Sequence, residues 1–124
     1  EYGYELGFNQ ILITNGVLLE QKNIRKVLKY INSLGVSIHG NEKIHNKLSQ
    51  KDCYKQIING LKYVEEEFKN ISININCTMV PENTEYNNIK FLATLCEKYN
   101  WKLTVARLNY IGKLYWKWKK LHKG

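Results

Sequence analysis

The stretch ISININCTMV, residues 71–80, limits the possible folds more than any other part of this sequence. Ile71, Ile73 and Ile75 alternate with Ser72, Asn74 and Asn76. Side chains alternate faces along a strand, so one face is apolar and the other carries amides and hydroxyls through Thr78. A half-exposed antiparallel strand gives this pattern too. In a parallel sheet, crossover helices cover at least one face, and the polar face then looks into something wet or ligand-filled. A barrel or half-barrel with a polar lumen meets both demands. Each unpaired buried amide costs roughly 1–3 kcal/mol, so hydrogen-bond partners are expected in that lumen.

The flanking sequence favours the parallel arrangement. In ILITNGVLLE, residues 11–20, two apolar runs flank Asn15-Gly16, which is the signature of a two-residue hairpin because both turn positions need positive φ. The rival reading ends a buried strand at Thr14 and leads into a helix. Ile24, Val27, Leu28 and Ile31 recur at helical spacing just downstream, which favours strand-loop-helix. LGVSIHG, residues 34–40, is a second short strand, and Ser49-x-x-Asp52 predicts a capping box for a helix with Ile57, Leu61, Val64 and Phe68 on one face. Pro81 breaks the third strand. The next helix puts Ile89, Leu92, Cys96 and Tyr99 in register, with Asn83 or Thr84 as its cap, and KLTVARL, residues 102–108, is strand four. EYGYELGF reads as the tail of a helix closing at Gly7. Strands separated by helices predict right-handed βαβ units: an α/β fold, a parallel βαβαβαβ portion of a partial (β/α) barrel. That unit spans residues 1–112, and a basic Trp-containing tail, 113–124, follows it.

A chain of 124 residues fits one domain, which buries roughly two-thirds of the surface its unfolded form exposes. No stretch approaches the ~18 uninterrupted apolar residues of a membrane span. No basic start with an apolar run and cleavage site supports secretion, so a soluble, cytoplasmic chain is expected. The net charge of +8 raises nucleic-acid binding as a possibility, but Lys113, Lys117, Lys119, Lys120 and Lys123 concentrate it in the tail. The body has neither an Arg-rich nor a Gly-aromatic recognition motif, which suits a solvated surface. Cys53, Cys77 and Cys96 match no zinc, redox or cluster spacing and read as buried structural thiols; His39, His45 and Cys53 are wrongly spaced for zinc.

Polar groups gather where each strand ends: Thr14 and Asn15, Ser37 and His39, Asn76 and Thr78, Arg107 and Asn109. Parallel α/β folds bind ligands at that edge, although residues entering loops are polar in any case. ILITNG, VSIHG with His45 shortly after in NEKIHN, INCTMVPEN and VARLNYIGK follow, in order and spacing, the middle of the partial barrel of radical SAM enzymes. The similarity is to the SPASM-type peptide and protein maturases and spans roughly residues 4 to 114.

The resemblance implies S-adenosylmethionine held against a 4Fe–4S cluster and cleaved to a 5′-deoxyadenosyl radical, which abstracts hydrogen from a peptide or protein substrate inside a water-excluding barrel. It assigns cofactor contacts to Ser37 and Asn76, with Thr14, Asn15 and Arg107 in the same mouth. The family's CxxxCxxC loop and its glycine-glycine-glutamate motif are not in the sequence and would precede Glu1. The resemblance therefore implies the middle piece of a radical SAM protein. Its partners would be the missing N-terminal barrel segment or, through the exposed edge of the first strand, another copy. Alone it is expected neither to assemble a cluster nor to hold the cofactor tightly. A second reading is a stand-alone basic α/β binding module whose LYWKWKKLHK tail contacts membrane or nucleic acid.

Overall fold

Four parallel strands pair in the order of the sequence, β1-β2-β3-β4, in the computed structural model of the chain, which describes residues 1–107. The elements run α1 (Tyr2–Glu5), β1 (Ile11–Thr14), α2 (Lys22–Leu28), β2 (Ser33–Ser37), α3 (Glu42–Ser49), α4 (Tyr54–Glu67), β3 (Ser72–Met79), a 3-10 turn (Pro81–Asn83), α5 (Tyr86–Tyr99) and β4 (Lys102–Arg107). Sequential parallel strands joined by helices form the α/β arrangement of a partial barrel. The domain boundary expected after residue 112, the tail and Asn109 lie outside the described residues. Among the described residues no helix is long and apolar enough to cross a membrane.

The Asn15-Gly16 ambiguity resolves as strand-loop-helix, because Ile11 to Thr14 pair parallel with Ser33 to Val36. The Asn15 side chain accepts from Val17 N–H at 3.1 Å, which closes the turn locally. Gly16 has φ of +84°, and a Cβ there would lie 2.8 Å from Val36 Cγ1 and 3.0 Å from Ile57 Cγ2. Glycine is required twice over: for the backbone angle, and for the close approach of the loop to β2 and α4.

Among the described residues, the helical cover lies on one face of the sheet. Leu34, Val36, Ile73, Ile75 and Cys77 project from the strands into a core completed by Leu28, Ile57, Leu61, Val64, Leu92 and Cys96. The alternation in β3 comes out as expected: Ile73 and Ile75 are buried, while Asn74, Asn76 and Thr78 are half-buried on the other face. Ile11 and Ile13, at the edge of that uncovered face, are 62% and 74% exposed.

The chain departs from its sequence pattern at the helix starts. The Ser49–Asp52 capping box does not form, because residues 42–49 are themselves a helix, capped by Asn41 accepting from Ile44 N–H at 3.0 Å. Ser49 instead donates to the His45 carbonyl at 2.8 Å. Asn46, on α3, accepts from the N–H groups of Cys53 and Tyr54 at 3.1 and 2.9 Å, so one helix caps the next. Neither Asn83 nor Thr84 caps α5, whose N-cap is Glu85 without a side-chain bond. Asn83 is engaged elsewhere, as described below, and Thr84 donates to the Pro81 carbonyl at 3.2 Å.

Gly16→Ala combines an unfavourable backbone angle with an overpacked contact. It is expected to lower unfolding stability by about 1–3 kcal/mol, measured by urea denaturation followed by circular dichroism. An unchanged midpoint would show that the loop moves aside at no cost.

Candidate functional site at the carboxyl edge of the sheet

The uncovered face is polar along β2, β3 and β4 and ends at the exposed isoleucines of β1. Asn74 donates to Asn76 at 2.6 Å, and Thr104 on β4 donates to Asn74 at 3.2 Å. The Asn76 amide lies across β2 because Gly35 has no side chain; a Cβ there would come within 3.1 Å of Asn76 Nδ2. A shallow depression follows, with Ile13, Gly35, Asn74, Asn76 and Lys102 among its walls.

Where β2 ends, its ladder to β3 is finished by a side chain. Ile38 N–H still reaches the Asn76 carbonyl at 3.1 Å, but Thr78 N–H is taken by Nδ1 of His39, at 3.3 Å. The imidazole stands in for a strand carbonyl, so the main chain leaves the sheet here, and this is why the strand expected over 34–40 ends at Ser37. His39 N–H donates to Nδ1 of His45 at 3.2 Å. The His39 carbonyl accepts from Asn83 Nδ2 at 3.1 Å and from Asn88 Nδ2 at 3.2 Å. Asn83 also donates to the Thr78 carbonyl and accepts from Val80 N–H, at 3.0 and 2.8 Å, and Asn88 donates to the Asn83 carbonyl at 3.0 Å. Asn83, Asn88 and His45 are all buried. Gly40 passes so tightly beneath this cluster that a Cβ would strike the Asn88 amide and Ile44.

Each histidine accepts a backbone N–H at Nδ1, so each is neutral with its proton on Nε2. Burial holds both below the usual imidazole range, and the neighbouring His39 lowers His45 further. The rings stack with centroids 5.8 Å apart, and His45 Nε2 lies 3.7 Å from Cys53 Sγ.

Of the residues assigned to the mouth, Ser37 and Asn76 stand opposite each other in register, Ser37 as the last residue of β2 and Asn76 midway along β3. The other three do not join them. Thr14 pairs with Val36 and so lies on the helix-covered side, where its Oγ1 accepts from Gly16 N–H at 3.3 Å. Asn15 is exposed in the turn that it closes. Arg107 continues the side of Leu103 and Val105 and is exposed at the end of β4. Asn88 was missed from the sequence, yet it sits four residues before Leu92 on the buried stripe of α5, and a polar residue in an apolar stripe is a legible signal. The three cysteines are buried on separate elements, and burial pushes the Cys96 thiol up to about 11. Among the described residues no group of three or more His, Cys, Asp or Glu could hold a metal ion.

A parallel sheet with helices on one face and amides and hydroxyls on the other is an α/β fold consistent with a portion of a partial (β/α) barrel. No protein-family model and no curated protein sequence matches the chain. Among solved structures it is similar to a domain of pyruvate-formate lyase-activating enzyme from Bacteroides vulgatus ATCC 8482, with 12% identity and a TM-score of 0.52. The match covers 82% of this chain and 83% of that one, and at this identity the likeness is one of fold.

The two histidines set an acid limit on stability. Their folded pKa values lie below the ordinary 6.5, so the unfolded chain binds more protons as pH falls, and the stability they contribute is present above pH 6.5 and is lost below it. The thermal midpoint is therefore expected to drop between pH 6.5 and about 5, before most carboxylates titrate. His45→Asn, which keeps an acceptor for His39 N–H but cannot titrate, should flatten that drop, whereas an identical pH profile would exclude His45 as its source.

Proposed function

We propose that this chain is the cofactor- and substrate-facing part of the barrel of a radical SAM enzyme of the SPASM type, which modifies a peptide or protein. The observation that carries the reading is the register pairing of Ser37, the last residue of β2, with Asn76 of β3, on the polar face that no helix covers among the described residues. A hydroxyl and an amide there can both give and accept hydrogen bonds, which suits the ribose hydroxyls and the amino-acid end of S-adenosylmethionine. The fold shared with a domain of a pyruvate-formate lyase-activating enzyme, itself a radical SAM protein, supports the reading.

The chain's own residues do not fit the iron–sulfur cluster. Cluster thiolates must converge on adjacent irons, whereas Cys53, Cys77 and Cys96 point into the core from separate elements. On this reading the cluster ligands belong to a CxxxCxxC segment that completes the barrel ahead of β1.

Two measurements test these statements. Anaerobic reconstitution with iron and sulfide should give no stoichiometric cluster on the chain alone. 5′-Deoxyadenosine should form only when a CxxxCxxC segment is joined ahead of Glu1; a cluster with product from the chain alone would refute the cysteine assignments. The second concerns the edge of β1, to which no strand is paired among the described residues and beside which Ile11 and Ile13 are exposed. Such an edge recruits strands. Light scattering should therefore detect self-association of the chain, reduced by Ile13→Lys, and a monodisperse monomer at high concentration would count against an open edge.

A further inference from the structure

We propose that Asn15 is a self-modifying residue: the backbone nitrogen of Gly16 attacks the Asn15 side-chain carbonyl carbon, ammonia leaves, and the succinimide that forms opens with water to aspartate or isoaspartate. The inference is independent of the cofactor reading and concerns the loop between β1 and α2.

The sequence holds two Asn-Gly pairs, Asn15-Gly16 and Asn59-Gly60, and the fold places them in opposite settings. Glycine after asparagine leaves the attacking nitrogen uncrowded, because it has no Cβ. Asn15 is exposed, in a turn where its Oδ1 accepts from Val17 N–H at 3.1 Å. That bond closes a ring around the Gly16 peptide and so folds Cγ back toward Gly16 N. The same Val17 N–H polarises the carbonyl and meets the negative charge that develops on Oδ1 during attack. Gly16 N–H is committed to no strand or helix ladder; it donates to the Thr14 hydroxyl at 3.3 Å. Asn59 is exposed as well, but it lies in the middle of α4. There the Gly60 N–H belongs to the helix ladder, and the helical backbone angle turns that nitrogen away from the Asn59 side chain.

The chemistry requires water and no other reactant. Gly16 N gives up its proton and bonds to Asn15 Cγ; the Cγ–Nδ2 bond breaks, and ammonia leaves with the proton. Water then cleaves one of the two bonds to the ring nitrogen. Cleavage at Cγ restores the ordinary backbone with an aspartate at this position. Cleavage at the main-chain carbonyl carbon routes the chain through Cγ as isoaspartate. Aspartate adds only a negative charge at an exposed turn. Isoaspartate also adds one backbone atom next to Gly16, where a Cβ would already lie 2.8 Å from Val36 Cγ1 and 3.0 Å from Ile57 Cγ2. On its other side the Gly16 carbonyl is 3.5 Å from where a Cβ of Gly60 would stand, so the loop has no room for the extra atom.

The full chain is incubated folded, at neutral and at mildly alkaline pH, beside a sample in urea. Each is digested at intervals for mass spectrometry that separates aspartate from isoaspartate. In the folded chain Asn15 should convert about tenfold or more faster than Asn59, faster at the higher pH and with isoaspartate among the products, whereas in urea the two sites should convert at similar rates. An intact Asn15 in the folded chain, equal conversion of the two sites there, or aspartate without isoaspartate would each overturn the proposal. Asn15→Gln, which would have to close a larger ring, should keep its amide over the same period; conversion at the parent rate would exclude the succinimide route. The isoaspartate fraction should melt about 5 °C or more below the parent chain, with Asn15→Asp close to the parent. An isoaspartate fraction that melts with the parent would refute the packing consequence.

Discussion

The carbonyl oxygen of His39 accepts from two buried amides that come from 44 and 49 residues further along the chain, and the geometry of the whole carboxyl edge follows from that convergence. Asn83 and Asn88 each use both ends of the side chain, so the loop after β2, the end of β3, the turn at Pro81 and the start of α5 are pinned to one another. The Asn83 and Asn88 amides are shut away from water, so an unmet bond at either would cost roughly 1–3 kcal/mol. A network of this kind holds as a unit or not at all. Its position matters as much as its strength, because it fixes the edge on which Ser37 and Asn76 stand.

The sheet itself is strongly asymmetric. Isoleucine, leucine and valine on one face meet α2, α4 and α5 and form a dry core; serine, asparagine and threonine on the other face meet no helix among the described residues. Such a surface suits contact with water as well as a polar interior, and in either setting its groups bond to one another. The Thr104–Asn74–Asn76 chain of hydrogen bonds shows this self-pairing, and Gly35 gives the amides room to lie flat. The two exposed isoleucines of β1 break the polar pattern where the sheet stops.

The architecture was legible because period-2 and period-3.6 patterns are written in single elements: ISININCT gave a two-faced strand, and Ile57, Leu61 and Val64 gave a buried helix stripe. Helix α3 was not legible, since its sequence, EKIHNKLS, has little apolar content and depends on Asn41 for its start. The cap of α4 was beyond local reading too, because Asn46 supplies it from another helix. The site was half legible. Ser37 and Asn76 alternate correctly along their strands, but Thr14 and Arg107 lie one residue out of phase with that face, and strand-end position alone does not distinguish phases. The role of Asn83 was hidden for a different reason: a residue just after a proline and just before a helix looks like a cap, and only the fold shows that its amide is needed 44 residues upstream.

The burial of the thiols has a practical corollary. Cys53 sits at the junction of α3 and α4, Cys77 on the helix-covered side of β3, and Cys96 near the end of α5, all three screened from solvent. An alkylating reagent can reach each sulfur only when the surrounding element opens, and different elements open with different free energies. The Cys53 side chain depends on the short α3–α4 connection, whereas Cys77 is held between two paired strands. The order in which the three sites acquire label in native buffer would thus chart which parts of the molecule breathe independently and which come apart only with the whole.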